Sequence, residues 1–253
     1  FGAAMEYALN EGRSLMTGEQ MGLPEQPAAG FASYDQVEAA FFRQFDNLCR
    51  HTVISLVTAQ RVHREMVPRP FLSACNEHCL EVGKDLSRGG AKYNVGPVIT
   101  GIGLAVAANS LAAVKKLVFE DRACSMATLV DALRANWQGY EPLRRLAADA
   151  PKYGNDDDYV DAIARKVANH FYHEVHRYRD IFGNPFTSAF MGISNYIPMG
   201  RVLGATPDGR KNGEPSSEGV SPYVGTDRST PLAAMCSAAK LNQEMHAGGT
   251  LLN

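Results

Sequence analysis

Apolar residues recur at helical spacing along most of the chain. The plainest run is Val37, Phe41, Phe45, Leu48, Thr52 and Leu56, which share one face of a 3.6-residue period. Ser33 followed by Gln36 has the form of a capping box, and Pro68 and Pro70 forbid continuation, so one helix is predicted from 33 to about 66. Before it, a short helix is expected over 3–11, then loop containing Gly22, Pro24, Pro27 and Gly30. Beyond it, a helix is expected over 71–85, and another is striped by Leu104, Ala107, Leu111, Val114 and Val118. Ser125 caps a third over 126–136. A fourth starts near Asp157, carries Val160, Ile163, Val167, Phe171 and Val175 on one face, and ends at Gly183-Asn184-Pro185.

The period changes to two over 186–197. Phe186, Ser188, Phe190, Gly192 and Ser194 fall on one face of this extended run, and Thr187, Ala189, Met191, Ile193 and Asn195 on the other. Residues 95–102 are β-branched and interrupted by glycine and proline, which predicts a second, shorter extended segment. Strands separated by long helices imply parallel pairing, and the fold class read from the pattern is an α/β barrel. The last fifty residues are rich in turns, Pro207-Asp208-Gly209 most plainly. No internal repeat or low-complexity tract is present.

Composition removes several function classes. A net charge of −2, from 25 basic and 27 acidic residues mixed along the chain, offers no field for nucleic acid or an anionic membrane. No apolar run reaches the ~18 residues that a bilayer requires, and no signal peptide opens the chain, so a cytoplasmic location is expected. The five cysteines lack the spacing of a secreted disulfide framework and are read as reduced thiols. At 253 residues the chain can form one large domain or two smaller ones. It opens at Phe1 and stops at Asn253 within a continuing pattern, so we expect it to be part of a longer polypeptide.

Most isolated motifs have plain structural readings. Gly101-x-Gly103 precedes a helix, but Val106 occupies the place of the third glycine of a dinucleotide fingerprint. His170, His173 and His176 step by three, which fans them around the helix rather than onto one metal, and Glu174 does not complete the order of a zinc protease. Asp156, Asp157 and Asp158 suit a helix N-terminus. Cys75 and Cys79 lie one turn apart, with no second Cys or His pair at zinc spacing, so no metal is expected.

Five segments in order read differently: Gly89-Gly90-Ala91-Lys92-Tyr93-Asn94, Ala205-Thr206-Pro207-Asp208-Gly209-Arg210-Lys211, Glu218-Gly219-Val220-Ser221-Pro222, Gly225-Thr226-Asp227-Arg228 and Gly248-Gly249-Thr250-Leu251-Leu252-Asn253. Together they resemble the glycyl radical enzymes related to pyruvate formate-lyase, in the branch of dehydratases, lyases and decarboxylases. The resemblance implies part of a ten-stranded α/β barrel, two antiparallel half-barrels of parallel strands with surrounding helices. Residues 1–253 would form the central to C-terminal part of that barrel domain. In such enzymes a glycine radical in a C-terminal loop passes to a cysteine in a Gly-Cys-x-Glu motif. The thiyl then removes hydrogen from a small substrate, so that a C–O, C–N, C–S or C–C bond breaks.

Neither radical residue is in the sequence. No cysteine stands in Gly-Cys-x-Glu: Cys79 is followed by Leu80-Glu81 but preceded by His78, and the glycyl motif Arg-Val-x-Gly-Tyr is absent. The thiyl cysteine and radical glycine are therefore expected upstream and downstream, with no catalytic residue in this chain. The resemblance implies that the strand before the Thr206–Arg210 turn lends side chains to the substrate cavity, by Ser188, Phe190, Gly192 and Ser194. It implies a secondary role for Gly89, Gly90, Lys92, Tyr93 and Asn94, in a loop near that cavity. Lys92 replaces the glutamate associated with hydroxyphenylacetate decarboxylases, and pyruvate formate-lyase proper, with two adjacent cysteines, fits poorly. No cofactor is expected to be bound: a radical enzyme dependent on S-adenosylmethionine installs the radical. That activating enzyme and a small substrate are the implied partners, and homodimers are common in the family. Two alternatives stay open, a non-catalytic scaffold that retains the barrel and a nucleotide-dependent α/β enzyme.

Overall fold

The computed structural model describes residues 1–192 and 194–253. Ile193, assigned above to the second face of the extended run, lies outside the described residues. Helix α1 (Gly2–Leu9) leads through loop to α2 (Tyr34–Met66), and the prolines stop α2 where predicted. The capping box forms only in part. The Ser33 hydroxyl makes no cap bond, and the Gln36 side chain accepts from the Ala32 N–H at 2.8 Å, one residue outside the expected partner.

The expected helix over 71–85 is two short ones, α3 (Pro70–Ala74) and α4 (Cys79–Val82). His78 between them has φ +77°, a left-handed conformation that breaks helix propagation. Strand β1 (Val98–Thr100) precedes α5 (Leu104–Val114), in which every residue is buried. A helix with no exposed face belongs inside a large core, and α5 packs against α8 there. Residues 115–120 prolong it with wider, π-type turns. Ser125 caps α6 (Met126–Arg134), accepting from the Thr128 N–H at 3.1 Å. Helix α7 (Glu141–Asp149), with a proline in its first turn, was not anticipated. Helix α8 (Asp158–His176) starts as predicted and ends seven residues before Gly183.

Strand β2 (Thr187–Ala189) is shorter than the expected 186–197 run, whose end is helix α9 (Tyr196–Arg201). Helix α10 (Pro231–Ala239) completes the elements. Strands β1 and β2 pair in parallel, Val98 with Thr187 and Thr100 with Ala189. A third segment continues the layer: the Phe190 N–H donates to the Gly249 carbonyl at 2.9 Å and the Leu251 N–H to the Phe190 carbonyl at 2.8 Å, also in parallel. The arrangement is mixed α/β. Among the described residues no helix is long and apolar enough to cross a membrane.

Candidate functional site

The two faces of the strand layer differ. Phe186, Ser188 and Phe190 point toward the helices and are buried. The Phe190 ring meets Phe171 of α8 edge-on at 5.4 Å and stacks with Phe1 at 5.9 Å, while His246 approaches it at 4.8 Å. Ser188 Oγ lies 2.7 Å from His246 Nδ1. Burial holds the His246 imidazole down to about 4, so it is neutral near pH 7. The opposite face is partly open: Val98, Met191 and Leu251 are 46%, 43% and 41% exposed and Thr187 is half-buried, but Ala189 between them is buried, with Gly248 against it. Burial follows the alternation over 186–188 and again at 190–191, and departs from it at Ala189. Ser188 and Phe190 stand on the helix-covered side.

A polar cleft of about 210 Å³ opens where the strands end, bordered by Tyr196, Ser216, Glu218, Ser221, Asp227 and Asn253. The C-terminal edge of parallel strands is where α/β proteins most often bind ligands. Gly192 belongs here, because a Cβ on it would come within 2.6 Å of Glu218 Oε2. The other oxygen, Oε1, accepts from the Asn253 side-chain amide, and the Asn253 backbone N–H donates to Ser221 Oγ at 3.0 Å. Behind the cleft, Ser217 Oγ accepts from the N–H groups of Ala105 and Val106 at 3.1 and 3.3 Å, satisfying the first turn of α5. Ser194 is exposed beside α9.

The glycine loop sits at the other end of the layer, since Gly96 lies against the Pro185 carbonyl at the entry to β2. Gly89 has φ +83°, and Gly90 approaches the Lys84 carbonyl so closely that no Cβ fits. Asn94 closes the loop through its amide, 3.1 Å from the Ala91 carbonyl. Lys92 is exposed and Tyr93 is 77% exposed. Asp85, just before the loop, accepts from Ser87 (N–H and hydroxyl), the Ser73 hydroxyl and the Arg69 N–H, and these bonds hold its carboxyl down to about 2.

The Thr206–Arg210 turn is a buried knot. Residues 203–210 are all buried. Asp208 Oδ1 accepts from the Thr206 hydroxyl at 2.6 Å, and the Arg210 guanidinium donates to the carbonyls of Gly200, Leu203, Gly204, Glu214 and Pro215. Trp137 Nε1 and Arg144 Nε donate to the carbonyls of Arg210 and Gly209 at 3.1 and 2.8 Å, which ties α7 and the α6 end to the turn. Every donor is used within the fold, so the knot is architecture. Among the described residues no group of Asp, Glu, His and Cys side chains could hold a metal ion.

Sequence reasoning did not single out Glu218, Asn253 or His246 as site residues. Their partners lie 35 or 58 positions away, beyond any local period. Asn253 and Glu218 do fall inside motifs that carry the resemblance, which is the one signal that could have found them.

A family model described as pyruvate formate lyase-like matches residues 1–200. Trans-4-hydroxy-L-proline dehydratase of Clostridioides difficile is 35% identical over 250 residues, covering 98% of this chain and 31% of that protein. (2S)-3-sulfopropanediol dehydratase of Klebsiella oxytoca is 36% identical over 256 residues, again 98% of this chain and 31% of the relative. The glycerol-bound form of the B12-independent glycerol dehydratase from Clostridium butyricum superposes with a TM-score of 0.95 at 35% identity, over 100% of this chain and 32% of that one. The chain thus spans about a third of the length of the relatives that it matches. With the fold and the ordered motifs in agreement, the chain belongs to the pyruvate formate lyase-like family of glycyl radical enzymes.

Proposed function

We propose that the full polypeptide is a cytoplasmic glycyl radical lyase or dehydratase, in which this chain supplies part of a ten-stranded α/β barrel wall. The observation that carries the reading is the superposition on glycerol dehydratase over the whole chain, at 35% identity. On this reading the thiyl cysteine and the radical glycine belong to the polypeptide beyond residues 1–253. The thiyl removes a hydrogen atom from a substrate carbon, and the substrate radical expels a neighbouring group such as water, an amine, sulfite or carbon dioxide. The product radical then takes the hydrogen back from the thiol. Enclosure in a barrel keeps such intermediates from solvent.

This chain's part is to shape and dry the cavity. Thr187 and Met191 on the open face border the substrate, with Gly192 and Ser194 at the end of the strand. Ser188 and Phe190 act from behind, fixing β2 against α8. Gly89, Gly90, Lys92, Tyr93 and Asn94 flank the opposite end, where the exposure of Tyr93 supports a contact surface. The partners are a small-molecule substrate and an activating enzyme dependent on S-adenosylmethionine, and the assembly is a homodimer.

The test is anaerobic activation of the full polypeptide with such an activating enzyme. Electron paramagnetic resonance should then show a carbon-centred glycyl signal, and small diols, hydroxyproline or hydroxyalkyl sulfonates should be assayed for turnover. The 253-residue chain alone should give neither signal nor product. Failure of the full polypeptide to form a radical, with an activating enzyme proven on a relative, would favour a non-catalytic scaffold.

A further inference from the structure

The third segment of the strand layer joins β2 through residues that specify the junction poorly. Gly248 and Gly249 offer no side chain to pack, and a strand rich in glycine slips its register easily. A slip of one residue would turn Leu251 to the other face. In one direction it would also bring the Ala247 methyl to the place of Gly248, where even a Cβ crowds Val98 and Ala189. Asn253 ties the far end of the segment to Glu218 and Ser221. The near end is tied to a single residue of β2 from two directions. The Gly248 N–H donates to the Ser188 carbonyl at 3.1 Å, and His246 Nδ1 lies 2.7 Å from the Ser188 hydroxyl oxygen.

The surroundings of His246 show what the side-chain bond contributes. The residue is 3% exposed, set among Phe171 and Tyr172 of α8 and Phe190 of the strand layer. Its Nε2 has no hydrogen-bond partner among the described residues, so the hydrogen bonding of the ring rests on Ser188. Packing alone would favour phenylalanine here, because an apolar ring fills such a space without stranding a nitrogen. The polar pair therefore supplies something that packing does not. A hydrogen bond between two side chains is directional, and this one forms in one register only.

We infer that His246 is a positioning residue whose bond to Ser188 selects the register of the third segment against β2. That register sets Phe190 opposite Thr250, and so brings Leu251 level with Met191 on the wall of the substrate cavity. The role in the cavity rests on the lyase reading above, whereas the register does not.

Hydrogen exchange resolved to single amides, on the full polypeptide without activation, tests the register. His246→Gln places its amide near the former Nε2 rather than Nδ1. It should speed exchange of the Gly248, Phe190 and Leu251 N–H groups at least about tenfold, while Thr187 and Gly101, which hold the β1–β2 pairing, stay within about twofold of wild type. His246→Asn, with a polar atom at the Nδ1 position, should restore protection. Ser188→Ala removes one hydroxyl and should match His246→Gln, and the double variant should add nothing further. Wild-type exchange in both single variants would overturn the inference, as would equal loss of protection at Thr187 and Gly101, the mark of general loosening. In the activated enzyme, His246→Gln should keep the glycyl signal and shift the kcat/KM ratio of two competing substrates at least about threefold, with His246→Asn near wild type. An unmoved ratio beside lost protection would overturn the positioning role. Absence of a radical in the wild type would refute the lyase reading instead, and exchange would still decide the register.

Discussion

The Thr206–Arg210 turn and the 89–94 loop are both tight, glycine-bearing turns with polar side chains, and both carry family resemblance. Their polar groups have opposite destinations. In the knot, the guanidinium of Arg210 and the carboxylate of Asp208 are consumed by groups of the same chain, deep in the structure. In the loop, Gly90 and Asn94 hold the backbone, while Lys92 and Tyr93 project outward. A motif that spends its hydrogen bonds internally specifies shape. One that leaves them at the surface is available for chemistry or recognition.

The largest expected effect is in the knot. Arg210→Met should lower stability by about 3–5 kcal/mol, because a buried polar network loses its centre. Urea denaturation measures this, and a loss below about 1 kcal/mol would contradict the architectural role. Phe190→Ala should lower stability by a similar ~3–5 kcal/mol through the cavity left beside Phe171. In the activated full enzyme its relative rates on two competing substrates should be unchanged. Met191→Ala, on the open face, should do the reverse: little change in melting temperature, and a shift in discrimination of about 1–3 kcal/mol. If Phe190→Ala moves the substrate ratio and Met191→Ala does not, the two faces have been assigned the wrong way round.

In the loop, Gly90→Ala should cost roughly 1–3 kcal/mol, since the added Cβ meets the Lys84 backbone. Tyr93→Ala should change stability by less than about 0.5 kcal/mol. Titration separates the regions as well. Lys152, buried beside Asp208, is held down to about 8, chiefly by burial. Its unfolded form binds a proton that the folded form lacks between pH 8 and the ordinary lysine value near 10.5, so this group makes stability rise with pH across that window. Asp85 works in the other direction at low pH. Its carboxylate stabilises the fold above the ordinary value of 3.8, and that contribution is lost as pH falls toward 2. Denaturation curves for Lys152→Met and Asp85→Asn should each lose the corresponding slope.

What the sequence showed depended on whether a signal was local. Helix α2 was legible at both ends because its stripe, its N-cap region and two prolines lie within one stretch. The break between α3 and α4 was not, because the left-handed His78 carries no glycine or asparagine to announce it. Helix α7 escaped because only Leu143 and Ala147 of its nine residues are buried, too few for a stripe. Burial keeps to the strand alternation except at Ala189, but periodicity cannot say which face meets helices, and that depended on Phe171 and His246 from elsewhere in the chain. The family motifs do not by themselves separate the buried knot from the surface loop.

The hydroxyl of Ser217 completes the start of α5 from 112 residues further along the chain. During translation at ~5–20 residues per second, α5 therefore leaves the ribosome roughly 6–22 s before its cap exists. Over that interval a helix whose every residue is buried in the finished fold lacks its terminal hydrogen bonds, and until α8 is made it lacks its packing against α8 as well. Helix α5 is accordingly a segment whose first turn stays unsatisfied until residue 217 has been made.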